Sequence, residues 1–266
     1  MLHPCARILA LTSDAEAPAA IARLLTELDF GASQLTVLEA LGGPNEKLRS
    51  SRADAFDLTN INPLNVLAIE IESTPQARIL PLTSGLADHL FEHDGQITKR
   101  EVRAITLSAL APRRGELLWD IGAGSGSIGI EWMLAHPSMR AIAIEADATR
   151  AARIGRNAAT CGVPGLVVVE GSAPKALAGL ATPDAIFIGG GGSDSGVLNA
   201  AIKALRAGGR LVANAVTLEM ETLLLARHAS LGGDLTRIAL SRVSPVGSMQ
   251  AWRPAMPVTQ WNWVKP

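Results

Sequence analysis

Charge of either sign is scarce in this sequence, and neither sign dominates. Asp, Glu, Lys and Arg make up only 18% of the 266 residues, with 24 basic residues against 25 acidic ones. A nearly neutral chain has no general attraction to nucleic acid or to an anionic membrane surface. We therefore predict neither a nucleic acid nor a membrane as a partner.

Cysteines and long apolar runs are also lacking. Cys5 and Cys161 lie far apart, and the five histidines form no cluster, so we expect no disulfide framework, no metal site and two buried thiols. No apolar run reaches about 18 residues, and the first residues do not have the pattern of a signal peptide. These absences predict a cytoplasmic protein.

Apolar residues are abundant, at 48% of the chain. From about residue 115 onward, short apolar runs alternate with segments of helical spacing, which is typical of βαβ units and a parallel sheet buried on both faces. The predicted strands are ELLWDI (116–121), AIAIE (141–145), LVVVEG (166–171), DAIFIG (184–189) and RLVANAV (210–216).

The two ends of the chain differ from this pattern. LTRIALSRVSP (235–245) and the Trp-rich QAWRPAMPVTQWNWVK (250–265) have no helix between them, which predicts an antiparallel pair at one edge of a mostly parallel seven-stranded sheet. Residues 1–74 read as a separate small α/β subdomain, and 75–266 as the main domain. Ahead of the first strand of the main domain, Thr98 and Glu101 have the spacing of a capping box at the start of a helix.

A glycine-rich loop follows the first of these strands, in the sequence DIGAGSGS. The spacing is GxGxG with Ser127 next, so the GxGxxG pattern of dinucleotide-binding loops fails by one residue. Asp120 precedes the loop, and its charge would repel a pyrophosphate but suits an ammonium group. These features favour S-adenosylmethionine, whose ammonium Asp120 would meet directly or through water. The predicted loop contacts are Gly122, Ala123, Gly124, Ser125 and Gly126.

Further cofactor contacts are predicted at the next strand ends, because ligands of α/β sheets collect at the carboxyl ends of the strands. Glu145 ends the second strand, where a carboxylate can accept both ribose hydroxyls. Ser172 and Ala173 follow the third strand and would face the adenine. Two alternatives without a binding role stay open: the glycine-rich loop serves only strand-to-helix packing, and Ser172 is an ordinary helix cap. The four glycines 189–192 form either a flexible turn or cleared space beside the cofactor.

A family resemblance covers roughly residues 78–265. The segments QITKREVRAITLSAL, LLWDIGAGSGSIGIEW, VVVEGSAPKAL and AGGRLVANAVTLE together resemble the decarboxylating precorrin methyltransferases of cobalamin biosynthesis. This resemblance implies the class I S-adenosylmethionine-dependent fold, methylation of carbon 15 of the macrocycle, loss of the carboxyl group of the ring C acetate, and S-adenosylhomocysteine as product. It also implies a homo-oligomer, with a tetramer as one form, and cofactor contacts at Thr98, the loop 122–126, Glu145 and Ala173. Ser172 departs from the acid that members often carry.

Residues 1–74 resemble the second half of the tetrapyrrole methylase that acts on carbon 5 and is fused ahead of the carbon-15 enzyme in some bacteria. The first half of that methylase, which carries its own glycine-rich loop, has no counterpart in this sequence. The resemblance therefore implies that the chain as given does not methylate carbon 5 unaided.

A flat polycarboxylate acceptor calls for cations and oriented polar groups. Arginine suits carboxylates because its guanidinium group can bind them in bidentate fashion. Lys99 and Arg100 are predicted to do so, with Arg103 and Arg253 as weaker candidates; solvated surface charge is the alternative for all four. Asn214 and Thr217, after the fifth strand, are predicted to reach the acceptor, although Thr217 equally suits a helix cap.

Two other functions compete with this prediction. One is a methyltransferase of the same fold acting on RNA or protein, which should show a basic surface or an aromatic clamp for a base. The other is a non-catalytic module that only binds S-adenosylmethionine.

Overall fold

The structure, a computed structural model, describes residues 2–266 and divides into two compact units. The first unit ends at Leu80 and the second is formed by Pro81–Pro266, so residues 75–80 group with the first unit and not with the domain predicted to begin at residue 75. Among the described residues, no helix is both long and apolar enough to cross a membrane.

The first unit is a four-stranded antiparallel sheet with one helix. The sheet order is β1-β4-β2-β3, and its core contains Leu35 and Val37 of β2, Leu67 of β4, and Leu25 of the helix. The elements are β1 (Arg7–Leu11), α1 (Ala17–Glu27), β2 (Gln34–Glu39), β3 (Lys47–Arg52) and β4 (Asn65–Glu70).

Two features of this unit differ from expectation. Strand β3, with the sequence KLRSSR, was not predicted because it lacks apolar alternation; it is an edge strand and mostly exposed, where polar residues are common. Cys5 is exposed, in contrast to the buried Cys161, because it lies in the turn before β1.

The second unit has the predicted alternation of strands and helices. Its elements are α2 (Arg100–Leu110), β5 (Leu117–Ile121), α3 (Ser127–Leu134), β6 (Arg140–Glu145), α4 (Ala148–Thr160), β7 (Val167–Glu170), β8 (Ala185–Ile188), α5 (Val197–Ala204), β9 (Arg210–Ala215), α6 (Leu218–Leu231), β10 (Asp234–Ile238), β11 (Ser241–Val246), β12 (Met249–Pro254) and β13 (Val258–Val264).

These strands form a seven-stranded sheet in the order β10-β13-β9-β8-β5-β6-β7. Strands β5 to β9 pair in parallel, and β5 and β8 are buried along their whole length. The core includes Trp119, Ile186 and Leu211. The predicted α/β class and the mostly parallel sheet are confirmed.

The predicted antiparallel pairing at one edge of the sheet is confirmed, but the strands that form it differ from the prediction. Strand β13 pairs with both β9 and β10, so it lies inside the sheet and β10 forms the edge. The segment predicted as one strand over 235–245 is split, because Ser241–Val246 pairs with Met249–Pro254 in a separate two-stranded ribbon. Trp261 and Trp263 are buried in β13, whereas Trp252 of the ribbon is exposed.

The predicted capping box at the start of α2 is wrong. Lys99 is the N-cap residue, and no side chain caps the helix. The Thr98 carbonyl accepts a hydrogen bond from the Arg103 guanidinium, and the Glu101 carboxylate binds Arg242. Both members of the expected box are therefore held by arginines.

Candidate active site

A cleft of about 750 Å³ opens at the carboxyl ends of the parallel strands. This is where ligands bind in open α/β sheets. Its lining includes the segment 95–99 ahead of α2, the loop 122–124, residues 144–146, 171–173 and 189–191 at the carboxyl ends of successive strands, Asn214 near the end of β9, Val216 just after it, and Ile238, Leu240, Arg242, Met256 and Val258 near the antiparallel edge.

The glycine-rich loop joins β5 to α3 in a conformation that requires glycine. Gly122 has φ +69°, and a Cβ atom placed on it would lie 2.4 Å from the carbonyl oxygen of Gly190. The four-glycine segment is thus explained in part, since Gly190 passes directly against the loop. Gly126 has φ +76°, and its Cβ would lie 2.7 Å from Ile154 of α4.

Only part of this loop lines the cleft. Gly122, Ala123 and Gly124 do so, whereas Ser125 and Gly126 do not. Ser125 is buried and its carbonyl accepts a hydrogen bond from Asn157, and Gly126 is the N-cap residue of α3. The predicted direct contacts of Ser125 and Gly126 are replaced by roles in shaping the loop.

Glu145 lies at the end of β6 and is only 7% exposed. Its Oε2 accepts a hydrogen bond from the Gly124 amide at 2.8 Å, and its Oε1 accepts one from the Asp147 amide at 3.0 Å. Each oxygen keeps a further lone pair for a donor in the cleft. A buried carboxylate held in this way is suited to accept two hydroxyl groups.

Asp120 does not line the cleft, in contrast to the predicted ammonium contact. It is 1% exposed, its Oδ2 accepts a hydrogen bond from the Gly129 amide at 3.0 Å, and its Oδ1 has no partner among residues 2–266. Burial raises the pKa of Asp120 to about 7, the Gly129 hydrogen bond opposes this rise, and the charge of Glu145 adds to it. Asp120 therefore holds α3 in place beneath the loop.

Ser172, Ala173, Thr98 and Lys99 all line the cleft. The alternative of a helix capped by the Ser172 side chain is wrong, because a single 3-10 turn, Lys175–Leu177, follows without a side-chain cap. The predicted positions of these four residues are thus compatible with ligand contact.

Asn214 lines the cleft and is held by two side chains beneath it. Its Nδ2 donates to Thr106 Oγ1 at 3.0 Å, and its Oδ1 accepts from Gln260 Nε2 at 2.9 Å. Thr217 is exposed, lies outside the lining, and accepts a hydrogen bond from the Met220 amide as the N-cap residue of α6. The helix-cap interpretation of Thr217 is therefore correct, and its predicted acceptor contact is wrong.

The remaining arginine predictions are corrected. Arg100 lies outside the lining, and its Nε donates to the Gly85 carbonyl at 2.9 Å. Arg103 is fully buried, neither a surface charge nor a ligand contact, and forms an ion pair with Glu131 at 2.5 Å and one with Asp88 at 3.2 Å. Arg253 lies in the exposed strand β12.

Sequence reasoning missed two arginines of the cleft, Arg150 and Arg242. Arg150, in the first turn of α4, forms a hydrogen bond with Asp94 at 2.9 Å. Its position five residues after Glu145, close to the carboxyl end of β6, could have indicated a cleft residue. Arg242 gave none, because it reaches the cleft only through the separate β11–β12 ribbon.

The sheet order, the glycine-rich loop after β5 and the acid ending β6 define the class I methyltransferase fold. A family model for the precorrin methyltransferase domain matches residues 89–265. The chain belongs to this family, and the predicted family and fold class are confirmed.

Individual relatives of the chain belong to the same family. The precorrin-6Y C(5,15)-methyltransferase [decarboxylating] of a Sinorhizobium species is 66% identical over 264 residues, which cover 99% of this chain and 64% of that protein. The cobalt-precorrin-6B C(15)-methyltransferase (decarboxylating) of Salmonella typhimurium is 34% identical over 179 residues, covering 65% of this chain and 92% of that protein. The chain thus spans less than two thirds of the longer relative.

A solved structure has the same architecture. The C-terminal domain of precorrin-6Y C5,15-methyltransferase from Rhodobacter capsulatus is 49% identical and superposes with a TM-score of 0.66, covering 70% of this chain and 100% of that one.

Proposed function

We propose that residues 81–266 form a methyltransferase domain that uses S-adenosylmethionine to methylate carbon 15 of a precorrin and removes the carboxyl group of its ring C acetate. The observation that carries this proposal is one continuous cleft with two kinds of lining. The side toward β6 contains Gly122–Gly124 and Glu145. The side toward β10 and β13 contains Lys99, Asn214 and an apolar wall, formed by Ile238, Leu240 and Val258. The Salmonella typhimurium relative, almost all of which is matched, bears the name of this reaction.

The cleft residues fit the donor. Gly122 and Gly124 expose backbone without Cβ atoms, which permits close approach of the methionine part, and the start of α3 favours its carboxylate. Glu145 would hold the ribose hydroxyls, and Ser172 with Ala173 would bound the adenine. When bound, the donor supplies an electrophilic methyl group on its sulfonium.

The chain itself has to align the acceptor and exclude water, because transfer from a sulfonium needs no protein nucleophile. Asn214 is suited to orient the acceptor, since Thr106 and Gln260 fix both ends of its amide. Lys99 would bind a peripheral carboxylate. Decarboxylation draws on the conjugated macrocycle as electron sink, much as other enzymes use a cofactor.

The test is incubation of the chain with S-adenosylmethionine and precorrin-6B or cobalt-precorrin-6B, followed by mass spectrometry. We expect the gain of one methyl group and the loss of one carbon dioxide. Donor binding, measured by calorimetry, with no change in acceptor mass would contradict the proposed reaction and leave the RNA, protein and non-catalytic alternatives.

A homo-oligomer remains part of the proposal. The β11–β12 ribbon is exposed along most of its length, with Met249 at 74% and Trp252 at 72% exposure. A two-stranded ribbon alone is marginally stable in water, which supports its burial against a second copy. Sedimentation velocity should show a species larger than the monomer; a monomer throughout would contradict it.

A further inference from the structure

The acceptor side of the cleft has an apolar wall with cations beside it. Ile238 and Val258, paired across β10 and β13, form the wall with Leu240, and Lys99 and Arg242 lie in the same lining. The chain between β10 and β13 leaves the sheet at this edge, which brings Arg242 at the base of the ribbon to the cleft.

Arg242 is held by a carboxylate of the protein itself. Its Nη2 donates to Oε2 of Glu101, in the first turn of α2, and both side chains are 45% exposed. Within residues 2–266, Glu101 is the single hydrogen-bond partner of the Arg242 side chain, although a guanidinium has five N–H donors. The ion pair is thus partial and open to solvent.

Glu101 is ionised in this arrangement. Partial burial works against ionisation, but hydrogen bonds from its own amide and from Arg242 outweigh burial and hold the pKa of Glu101 below its usual value. The positive end of α2 acts in the same direction. Arg242 therefore faces a permanent carboxylate whenever the cleft holds no acceptor.

We propose that Arg242 binds a peripheral carboxylate of the tetrapyrrole acceptor, and that Glu101 occupies the guanidinium until the acceptor carboxylate replaces it. This rests on the proposed function, which supplies a flat acceptor with several carboxylates. An exposed ion pair contributes little to stability, so exchange of one carboxylate for another costs little. Bidentate binding by the incoming carboxylate favours the exchange.

A matched ion pair elsewhere provides the control. Arg237 of β10 pairs with Glu221 of α6 at 2.6 Å, with the arginine 56% exposed, and neither residue lines the cleft. Arg237 lies five positions from Arg242 and has the same kind of partner. It differs from Arg242 in lying outside the cleft lining and in the deeper burial of its partner, since Glu221 is 19% exposed and Glu101 45%.

The experiment compares Arg242→Gln, Glu101→Gln and Arg237→Gln. We expect Arg242→Gln to raise the acceptor KM about tenfold or more, the usual scale for a lost charge-assisted hydrogen bond, while the Kd for S-adenosylmethionine stays unchanged. Glu101→Gln should lower the acceptor KM, because the competing carboxylate is gone. Arg237→Gln should change neither quantity. An equal rise in KM for Arg242→Gln and Glu101→Gln would identify a purely structural pair and overturn the proposal.

A binding measurement separates this inference from the reaction. Fluorescence titration with uroporphyrin, a polycarboxylate tetrapyrrole, needs no turnover. Weaker uroporphyrin binding by Arg242→Gln and tighter binding by Glu101→Gln would support the carboxylate site even if precorrin were not methylated. No binding by the wild type, or unchanged binding by Arg242→Gln, would overturn it, whatever the activity.

Discussion

Glu145 and Glu170 are register partners at the carboxyl ends of the parallel strands β6 and β7. Only Glu145 lines the cleft, at 7% exposure, and each of its oxygens accepts one backbone amide. Glu170 is exposed and lies outside the lining. Two glutamates at equivalent strand ends therefore differ in burial, in hydrogen bonding and in access to the cleft.

Glu145→Gln is expected to weaken S-adenosylmethionine binding by roughly tenfold to a hundredfold. The Glu145 carboxylate has two acceptor oxygens for the backbone amides and the ribose hydroxyls, whereas the glutamine side chain has only one. Calorimetric titration measures this change. Glu170→Gln is the control and should bind the donor like the wild type. Equal Kd values for both variants would show that Glu145 holds no ribose.

Gly122→Ala is expected to abolish measurable donor binding. The added Cβ would lie 2.4 Å from the carbonyl oxygen of Gly190, a backbone atom, and Gly122 has φ +69°. The loop would therefore have to change its conformation. Gly155→Ala in α4 is the control, since a Cβ there meets nothing within 4 Å. It should keep donor affinity and raise the free energy of unfolding by up to about 1 kcal/mol. Full donor affinity in Gly122→Ala would contradict the close approach.

The parts of this site that could be predicted from the sequence are those set by neighbouring residues. The loop at Gly122 directly follows β5 and the acid Glu145 ends β6, so strand position and residue type were sufficient. The capping box failed because the N-cap residue is Lys99 and the Glu101 carboxylate binds Arg242 instead. Arg103, predicted as a surface charge or a ligand contact, is buried. No local pattern separates this arginine from one in solvent.

The other failures also depend on distant contacts. Arg242 meets Glu101 across 141 positions, and only the fold brings the ribbon to the start of α2. Thr217 and Asn214 are near neighbours in sequence. Asn214 is still part of β9, where its side chain bonds to Thr106, whereas Thr217 is already the N-cap residue of α6. The spacing alone could not decide which of them faces the cleft.

Asn214→Ala is expected to lower kcat at least tenfold with little change in the Kd for S-adenosylmethionine, because Asn214 lies on the side of the cleft that we propose for the acceptor. Thr217→Ala is the control. It removes a helix cap and should cost about 1 kcal/mol of unfolding free energy while leaving kcat within about twofold of the wild type. Equal losses of donor affinity and kcat in Asn214→Ala would count against an acceptor contact.

Asp120 should make the protein less stable as pH rises. In the unfolded chain its carboxyl ionises near 3.8, whereas burial keeps it protonated in the folded protein to about 7. Between these values the folded state binds more protons, so the free energy of unfolding falls with increasing pH. Asp120→Asn keeps an acceptor for the Gly129 amide and removes the charge. Its stability relative to the wild type should therefore increase from pH 4 to pH 8, by up to about 4 kcal/mol. Urea unfolding at both pH values measures this, with pH 4 as the internal control. The same difference at both would show that Asp120 is already ionised in the folded protein near pH 4.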